Sequence, residues 1–337
     1  MHPIKPKTIL LLVLFHLKLI EAWGLSSQHQ PPLPTTTMTR RTAAGLSSLL
    51  VLTTPPAHAD TDTTPSSACS SSALTQERAV PGAYENACMS LPVRDVTIAT
   101  HPTTTTTLHI QQSTSGAGTT GLAVWNSSLL LSRLLPFLSF NNNKNNNPLV
   151  VELGCGTGLA SLTAAATLSS ARVIATDGNP DVAALAQRNI QANGFAAPQM
   201  TTRVMPWGLL QVDDDLVEAA DWVLGSDLTY NAGSWPVLAE TMSTLIKPQG
   251  DIVVYLSLGH AGFNVQAEVD GFLSVAKGQG LVQIQPTDPE WPLANQVLPE
   301  TLLRQTCRSG EERSILESGG GVRVVFLRKA GRRRKNG

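Results

Sequence analysis

The sequence lacks an excess of charge of either sign: 24 Lys and Arg stand against 25 Asp and Glu, for a formal net charge of −1. A surface that grips a polyanion needs a basic excess, so this balance argues against nucleic acid as a partner. The basic cluster at residues 331–335 reads as a solvated tail, with a nuclear or nucleic-acid address as the second reading. Long apolar runs are also missing. Ile9–Leu14, continued loosely to Ile20, and Ala43–Leu52 both fall short of the ~20 residues that span a bilayer. Cysteine is scarce, with four in 337 residues, and no Cys/His set has the close spacing of a zinc site, so no metal is expected. Cys69 and Cys88 could pair in an oxidising lumen, Cys155 sits in a glycine turn and Cys307 stands alone. No Gly-Lys-Ser/Thr follows any glycine turn, which removes a phosphate loop.

What is present begins with a leader. Lys5 and Lys7 precede the first apolar run, which ends at Glu21-Ala22-Trp23, the layout of a signal peptide. Arg40-Arg41, the second apolar run and Ala57-His58-Ala59 then resemble a twin-arginine signal with its cleavage site. The tandem resembles the multipart leaders of algal plastid proteins, so a plastid location, stroma or thylakoid lumen, is expected. A single cleaved signal before a low-complexity linker is the alternative, with the secretory route or the cytoplasm as its destination. Residues 1–59 are therefore read as a targeting leader, 60–92 as a flexible linker, 93–330 as the folded domain and 331–337 as the tail. No stable membrane span is expected to remain once the leader is removed.

The domain is organised around the stretch from Val150 to Leu159. An apolar run ends in Glu152 and is followed by Gly154, Gly156 and Gly158, after which Ala160–Leu168 reads as a helix. Strand, tight turn and helix N-terminus make a ligand site, because unpaired N–H groups of a first helical turn attract polar or anionic groups. A dinucleotide turn would want its third glycine where Leu159 stands. The next strand, Arg172–Thr176, ends in Asp177, about twenty residues on, where an acid can accept hydrogen bonds from a ribose diol. An adenosine-containing ligand without a pyrophosphate fits this pattern best.

Around this turn strands and helices alternate. The expected elements are strand Leu149–Leu153, helix Leu159–Leu168, strand Arg172–Thr176, helix Asp181–Gln191, strands Arg203–Met205 and Trp222–Leu224, helix Trp235–Ile246 and strand Ile252–Ser257. A helix near Val265–Lys277 and strands Leu281–Gln285 and Val322–Leu327 close the domain. Such alternation implies an α/β fold with a doubly wound, mostly parallel sheet. Before it, a helix Ser127–Phe137 and an N-terminal β extension, Val93–Thr100 and Leu108–Gln112, are expected; the run Thr103–Thr107 reads as strand or loop.

In register, Gly121-x-x-x-Trp125, Glu152-Leu-Gly-Cys-Gly-Thr-Gly158, Thr176-Asp177, Asn189-Ile190-x-x-Asn193, Trp207-Gly208 and Ser226-Asp227-Leu228-Thr229-Tyr230 resemble the class I, seven-stranded lysine methyltransferases of methyltransferase family 16. The resemblance covers roughly Val93 to Leu327, and the order of the motifs is more specific than any one of them. It implies S-adenosylmethionine as cofactor and a protein lysine as substrate; separately, a monomer is expected. It also implies the strand order 3-2-1-4-5-7-6, with Val322–Leu327 as the antiparallel seventh strand.

By the same resemblance, Gly154 and Gly156 would pass close to the methionine part of the cofactor, and Glu152 would help orient its amino group. Cys155 would be a small spacer beside it, Asp177 would accept both ribose hydroxyls, Trp125 and Trp207 would contact the cofactor, and the Ser226 backbone would lie beside the adenosine. Asp227 and Tyr230 would be catalytic, holding the arriving ammonium and aiming the nitrogen lone pair. No Asn-Pro-Pro-Tyr-like tetrapeptide occurs, which counts against methylation of a nucleic-acid base. Two alternatives remain: a small-molecule methyltransferase on the same fold, and a cofactor-binding protein without catalysis. The substrate rim is expected from loops such as Pro286–Gln305; His260, after the fifth strand, could lie near the substrate mouth, though an exposed loop histidine is the commoner case.

Overall fold

A computed structural model describes residues 87–330, apart from 102–103, 114–119, 141–146, 249–251, 259–263, 308–309 and 318–320. The leader, Cys69, His260 and the basic tail lie outside the described residues. Among the described residues no helix is long and apolar enough to cross a membrane.

The first strands form a separate antiparallel hairpin, β1 (Val93–His101) and β2 (Thr104–Gln111). Seven strands make the main sheet: β3 (Leu149–Leu153), β4 (Arg172–Asp177), β5 (Met200–Val204), β6 (Trp222–Ser226), β7 (Ile252–Leu258), β8 (Leu281–Gln283) and β9 (Val322–Lys329). Their spatial order is β5-β4-β3-β6-β7-β9-β8. The strands from β3 to β7 pair in parallel, and β9 runs antiparallel between β7 and β8. Counted from β3, this is the expected order of seven strands.

Residues of β3, β6, β7 and β9 alternate between two apolar cores because strand side chains alternate faces. Val150, Leu224, Val254 and Phe326 pack with the hairpin and with helices α1 (Asn126–Leu134) and α2 (Leu159–Thr167). Val151, Val223, Val253 and Leu327 pack on the other face. That face is covered by α4 (Trp235–Leu245) and α5 (Val265–Gly278), while α3 (Pro180–Ala192) lies between β4 and β5 in sequence. Both faces of the parallel sheet are thus covered, which is why its strands read as near-continuous apolar runs.

Several expectations need correction. The third parallel strand runs Met200–Val204 rather than Arg203–Met205. Helical geometry after Leu134 tightens into a 3₁₀ turn, Leu135–Phe137, where Pro136 removes an amide donor. Thr104–Thr107 belong to β2. Segment 286–305, expected as a loop, carries most of helix α6 (Pro299–Thr306), and α7 (Gly310–Glu317) follows. The packed chain begins before Val93: Ala87–Ser90 form a 3₁₀ turn, and Gln112 Nε2 donates to the carbonyls of Cys88 and Leu91. Cys88 is disulfide-bonded, whereas Cys155 and Cys307 are free and buried.

The hairpin is held to the domain along both edges. Arg133 of α1 donates to the Thr97 carbonyl on β1 and pairs with Glu312 of α7. On the β2 side, Asn189 of α3 and Asn193, the residue that caps its C-terminus, act as a substitute strand. Asn189 accepts from the Gln111 N–H and donates to its carbonyl, at 2.8 and 3.1 Å. Asn193 does the same for His109 at 2.8 and 2.9 Å. The Asn-x-x-x-Asn spacing thereby matches the two-residue repeat of a strand edge.

Candidate functional site

The site lies at the carboxyl ends of the strands, where ligands bind in open α/β sheets. A cavity of about 640 Å³ opens there, within the usual size of small-molecule sites. Its floor is the turn after β3. Gly154, Gly156 and Gly158 have φ of 57, 54 and 84°, left-handed values that favour glycine. At Gly154 a Cβ would lie 2.6 Å from Leu228 Cδ2, so this turn and the one after β6 touch with no room between them. The turn is pinned by the Cys155 N–H to the Thr176 carbonyl at 2.8 Å and by Asn189 Nδ2 to the Thr157 carbonyl at 2.9 Å.

Glu152 is placed differently from the expectation. It is fully buried and does not line the cavity; its Oε2 accepts from the Ser161 N–H at 2.8 Å and from the Ser161 hydroxyl, within the first turn of α2. A strand carboxylate here caps the helix N-terminus, where the dipole favours negative charge. Burial nevertheless raises its pKa from 4.5 to about 7, with the two Ser161 bonds opposing the shift.

Asp177 ends β4 and lines the cavity. Its Oδ2 accepts from the Gly156 N–H at 3.2 Å and its Oδ1 from the Asn179 N–H at 2.9 Å, leaving lone pairs for two further donors. Burial raises its pKa, and the two backbone bonds oppose that. Trp125, at the start of α1, and Trp207, after β5, line the same cavity with Cys155 and Ser226.

The turn after β6 lines the same cavity beside the glycine turn. Asp227 has φ 57°, a strained value for a residue other than glycine, and such strain tends to gather at functional sites. Its N–H is tied to the Leu256 carbonyl at 2.8 Å, and its Oδ1 accepts from the Leu258 N–H at 3.4 Å. Tyr230, 63% exposed, stands on the rim. The cavity thus gathers an acceptor carboxylate, glycine backbone, two indoles, a second acid and a phenol. Segment 286–305 contributes nothing to its lining among the described residues.

Residues 103–262 match the sequence pattern of a family described as lysine methyltransferase. The chain is 34% identical over 150 residues to Protein-lysine N-methyltransferase EFM3 of Chaetomium thermophilum, covering 42% of this chain and 43% of that protein. It is 35% identical over 100 residues to Calmodulin-lysine N-methyltransferase of Arabidopsis thaliana, covering 29% and 33%. It is 30% identical over 131 residues to EEF1A lysine methyltransferase 3 of Xenopus tropicalis, covering 38% and 54%. This stretch of the chain is thus similar in sequence to lysine methyltransferases. The match spans between a third and just over half of each of these curated relatives.

Around this stretch the structure gathers Trp125, Gly154, Cys155, Gly156, Asp177, Trp207, Ser226, Asp227 and Tyr230 about one cavity, whose lining does not include Glu152. Thr120, Asn179 and Leu228 also line the cavity, although the sequence did not mark them. Leu228 could have been suspected, since it stands inside the Asp-x-x-Tyr motif; Asn179 is the N-cap of α3, accepting from the Asp181 N–H.

Proposed function

We propose that this protein is an S-adenosylmethionine-dependent protein-lysine N-methyltransferase. The observation that carries this is the meeting, in one cavity, of the Asp177 carboxylate and glycine turn with the strained Asp227–Tyr230 turn. The family match and relatives acting on protein lysines support it.

The residues fit the cofactor. Asp177 would take the ribose diol, Trp125 and Trp207 would give flat apolar faces to the adenine side, and Gly154 and Gly156 would allow the amino-acid part against the main chain. When bound, the sulfonium cofactor would supply an electrophilic methyl group for the neutral lysine nitrogen, with a thioether as the leaving group. A free lysine has a pKa of about 10.4, so the enzyme must first favour the neutral amine. Asp227 would hold the incoming ammonium, and desolvation beside a bound sulfonium would favour release of its proton to solvent before transfer. Tyr230, which lines the cavity, would aim the nitrogen through its hydroxyl. No covalent enzyme intermediate is required, so positioning and electrostatics supply the rate.

The test is incubation of the full-length protein with methyl-labelled S-adenosylmethionine and protein extract, comparing the native enzyme with Asp227→Ala. Label on lysines of a protein, lost in the variant, is expected. Label only in small molecules refutes the protein-lysine reading, and no cofactor binding by calorimetry refutes methyl transfer altogether.

We further propose plastid import, resting on the tandem leader in residues 1–59. A fluorescent reporter fused behind residues 1–60 should enter plastids; a reporter that stays cytosolic refutes this.

A further inference from the structure

The turn that carries Asp227 and Tyr230 is held from beneath by a buried polar network outside the cavity. Tyr255, in the middle of β7 and fully buried, directs its hydroxyl at this turn and accepts the N–H groups of Leu228 and Thr229, both at 3.1 Å. The same hydroxyl lies 2.7 Å from Thr229 Oγ1. Thr229 Oγ1 in turn donates to Glu268 Oε1 on α5, and Ser257 Oγ donates to that same oxygen at 3.2 Å. The proton directions follow from the donor inventory. A carboxylate only accepts, so Thr229 and Ser257 must both donate to it; Thr229 Oγ1 then accepts from Tyr255, whose oxygen has already received two N–H groups.

The chain of bonds runs from α5 through Thr229 to two successive amides of the turn. Trp235 Nε1 adds a bond to the Thr229 carbonyl at 2.8 Å, and the Tyr255 ring packs against Phe272 at 5.6 Å between centroids. A positive φ at a non-glycine residue persists only where the surroundings over-determine it, and this network does so one residue beyond Asp227. Burying a tyrosine hydroxyl and two side-chain hydroxyls against a carboxylate is costly unless all are satisfied, and a satisfied network fixes one geometry. Tyr255, Ser257 and Glu268 do not line the cavity, so any effect on chemistry passes through the turn.

We propose that Tyr255 and Glu268 are positioning residues for methyl transfer, acting through Thr229 to fix the turn that presents Asp227 and Tyr230. The inference rests on the methyltransferase reading of the cavity.

The test uses the full-length protein as Tyr255→Phe, Glu268→Ala and Glu268→Gln. Three quantities are read: amide exchange at Leu228 and Thr229, S-adenosylmethionine affinity by calorimetry, and the initial rate of methyl transfer to extract lysines across cofactor concentrations. Tyr255→Phe and Glu268→Ala should lower the apparent kcat at least 10-fold while KM and Kd for the cofactor stay within twofold. Tyr255→Phe should also speed exchange at the two amides at least 10-fold. Glu268→Gln should retain apparent kcat within threefold, since its amide oxygen accepts the same two hydroxyls. The proposal is overturned if Tyr255→Phe keeps its apparent kcat, if Glu268→Gln is as impaired as Glu268→Ala, or if cofactor affinity falls in step with rate. If Tyr255→Phe does not fold, the two Glu268 variants decide by the same criteria. A native enzyme that transfers no methyl refutes the function itself, whereas an active native enzyme with active variants refutes this inference alone.

Discussion

Replacing Asn189 by alanine should destabilise the domain far more than replacing Asn193, although each side chain makes three hydrogen bonds. Asn189 is wholly buried; its amide accepts from the Gln111 N–H at 2.8 Å and donates to the Gln111 and Thr157 carbonyls at 3.1 and 2.9 Å. Alanine leaves all three backbone groups without that partner and with little access to water. At about 1–3 kcal/mol per unsatisfied buried group, and with the second lone pair of each carbonyl softening the loss, the cost is about 4 kcal/mol. Asn193 accepts from the His109 N–H and donates to the carbonyls of His109 and Asn189, at 2.8, 2.9 and 2.8 Å, on the solvent side. Water replaces those bonds, so its alanine variant should lose about 1 kcal/mol or less. For a domain of this size the difference corresponds to roughly 10 °C in Tm. Urea denaturation of both variants, with amide exchange at Gln111, measures it. The reasoning fails if the two variants lose the same stability, or if Asn189→Ala loses less than about 1.5 kcal/mol.

Other expectations follow from the cavity. Asp177→Asn, which exchanges one acceptor oxygen for a donor, should weaken S-adenosylmethionine binding about 10-fold or more, about 1.4 kcal/mol by calorimetry; unchanged affinity removes Asp177 from the site. Gly154→Ala combines a 2.6 Å approach to Leu228 with a φ of 57°, and in urea denaturation should cost about 2–4 kcal/mol. Cofactor binding should fall with it, and a variant as stable as the native protein refutes the tight contact between the two turns. Glu152 has a folded pKa raised above its unfolded value, so its stabilising contribution is complete below pH 4.5 and lost as the pH rises to about 7. Between those limits the cofactor-free native protein should lose about 3 kcal/mol relative to Glu152→Gln, the 4.5-to-7 shift at about 1.36 kcal/mol per pH unit. Parallel stability curves for the two proteins would refute this.

The legible parts of the sequence were those whose cause is local. The strand–turn–helix at Leu149–Thr167 announced itself through an apolar run followed by alternate glycines, and those glycines occupy left-handed φ values. Where local cues were weak, boundaries moved. Strand β5 is an edge strand with half-buried Thr201, Thr202 and Arg203, so its apolar end drew the expected strand too far along the chain. The exposed threonines of β2 are strand because they pair with β1, as in the 3.1 Å contact between the hydroxyls of Thr97 and Thr107. Helix α6 has eight residues, with Pro299 and Leu303 buried, too short a pattern to stand out among prolines.

The sequence by itself determined the alternation of strands and helices, the position of the glycine turn and the residue types gathered at the strand ends. These follow from periodicity, backbone permissiveness and the chemistry of single side chains. Only the tertiary structure decided where long polar side chains spend their hydrogen bonds. It turned Glu152 away from the cavity onto Ser161, joined Asn189 to both the hairpin and the glycine turn, and placed the Tyr255 hydroxyl beneath Leu228 and Thr229. Those partners lie 9 to 78 residues away along the chain. Hydrogen bonds of that reach depend on how helices and strands pack, and no local pattern encodes that packing.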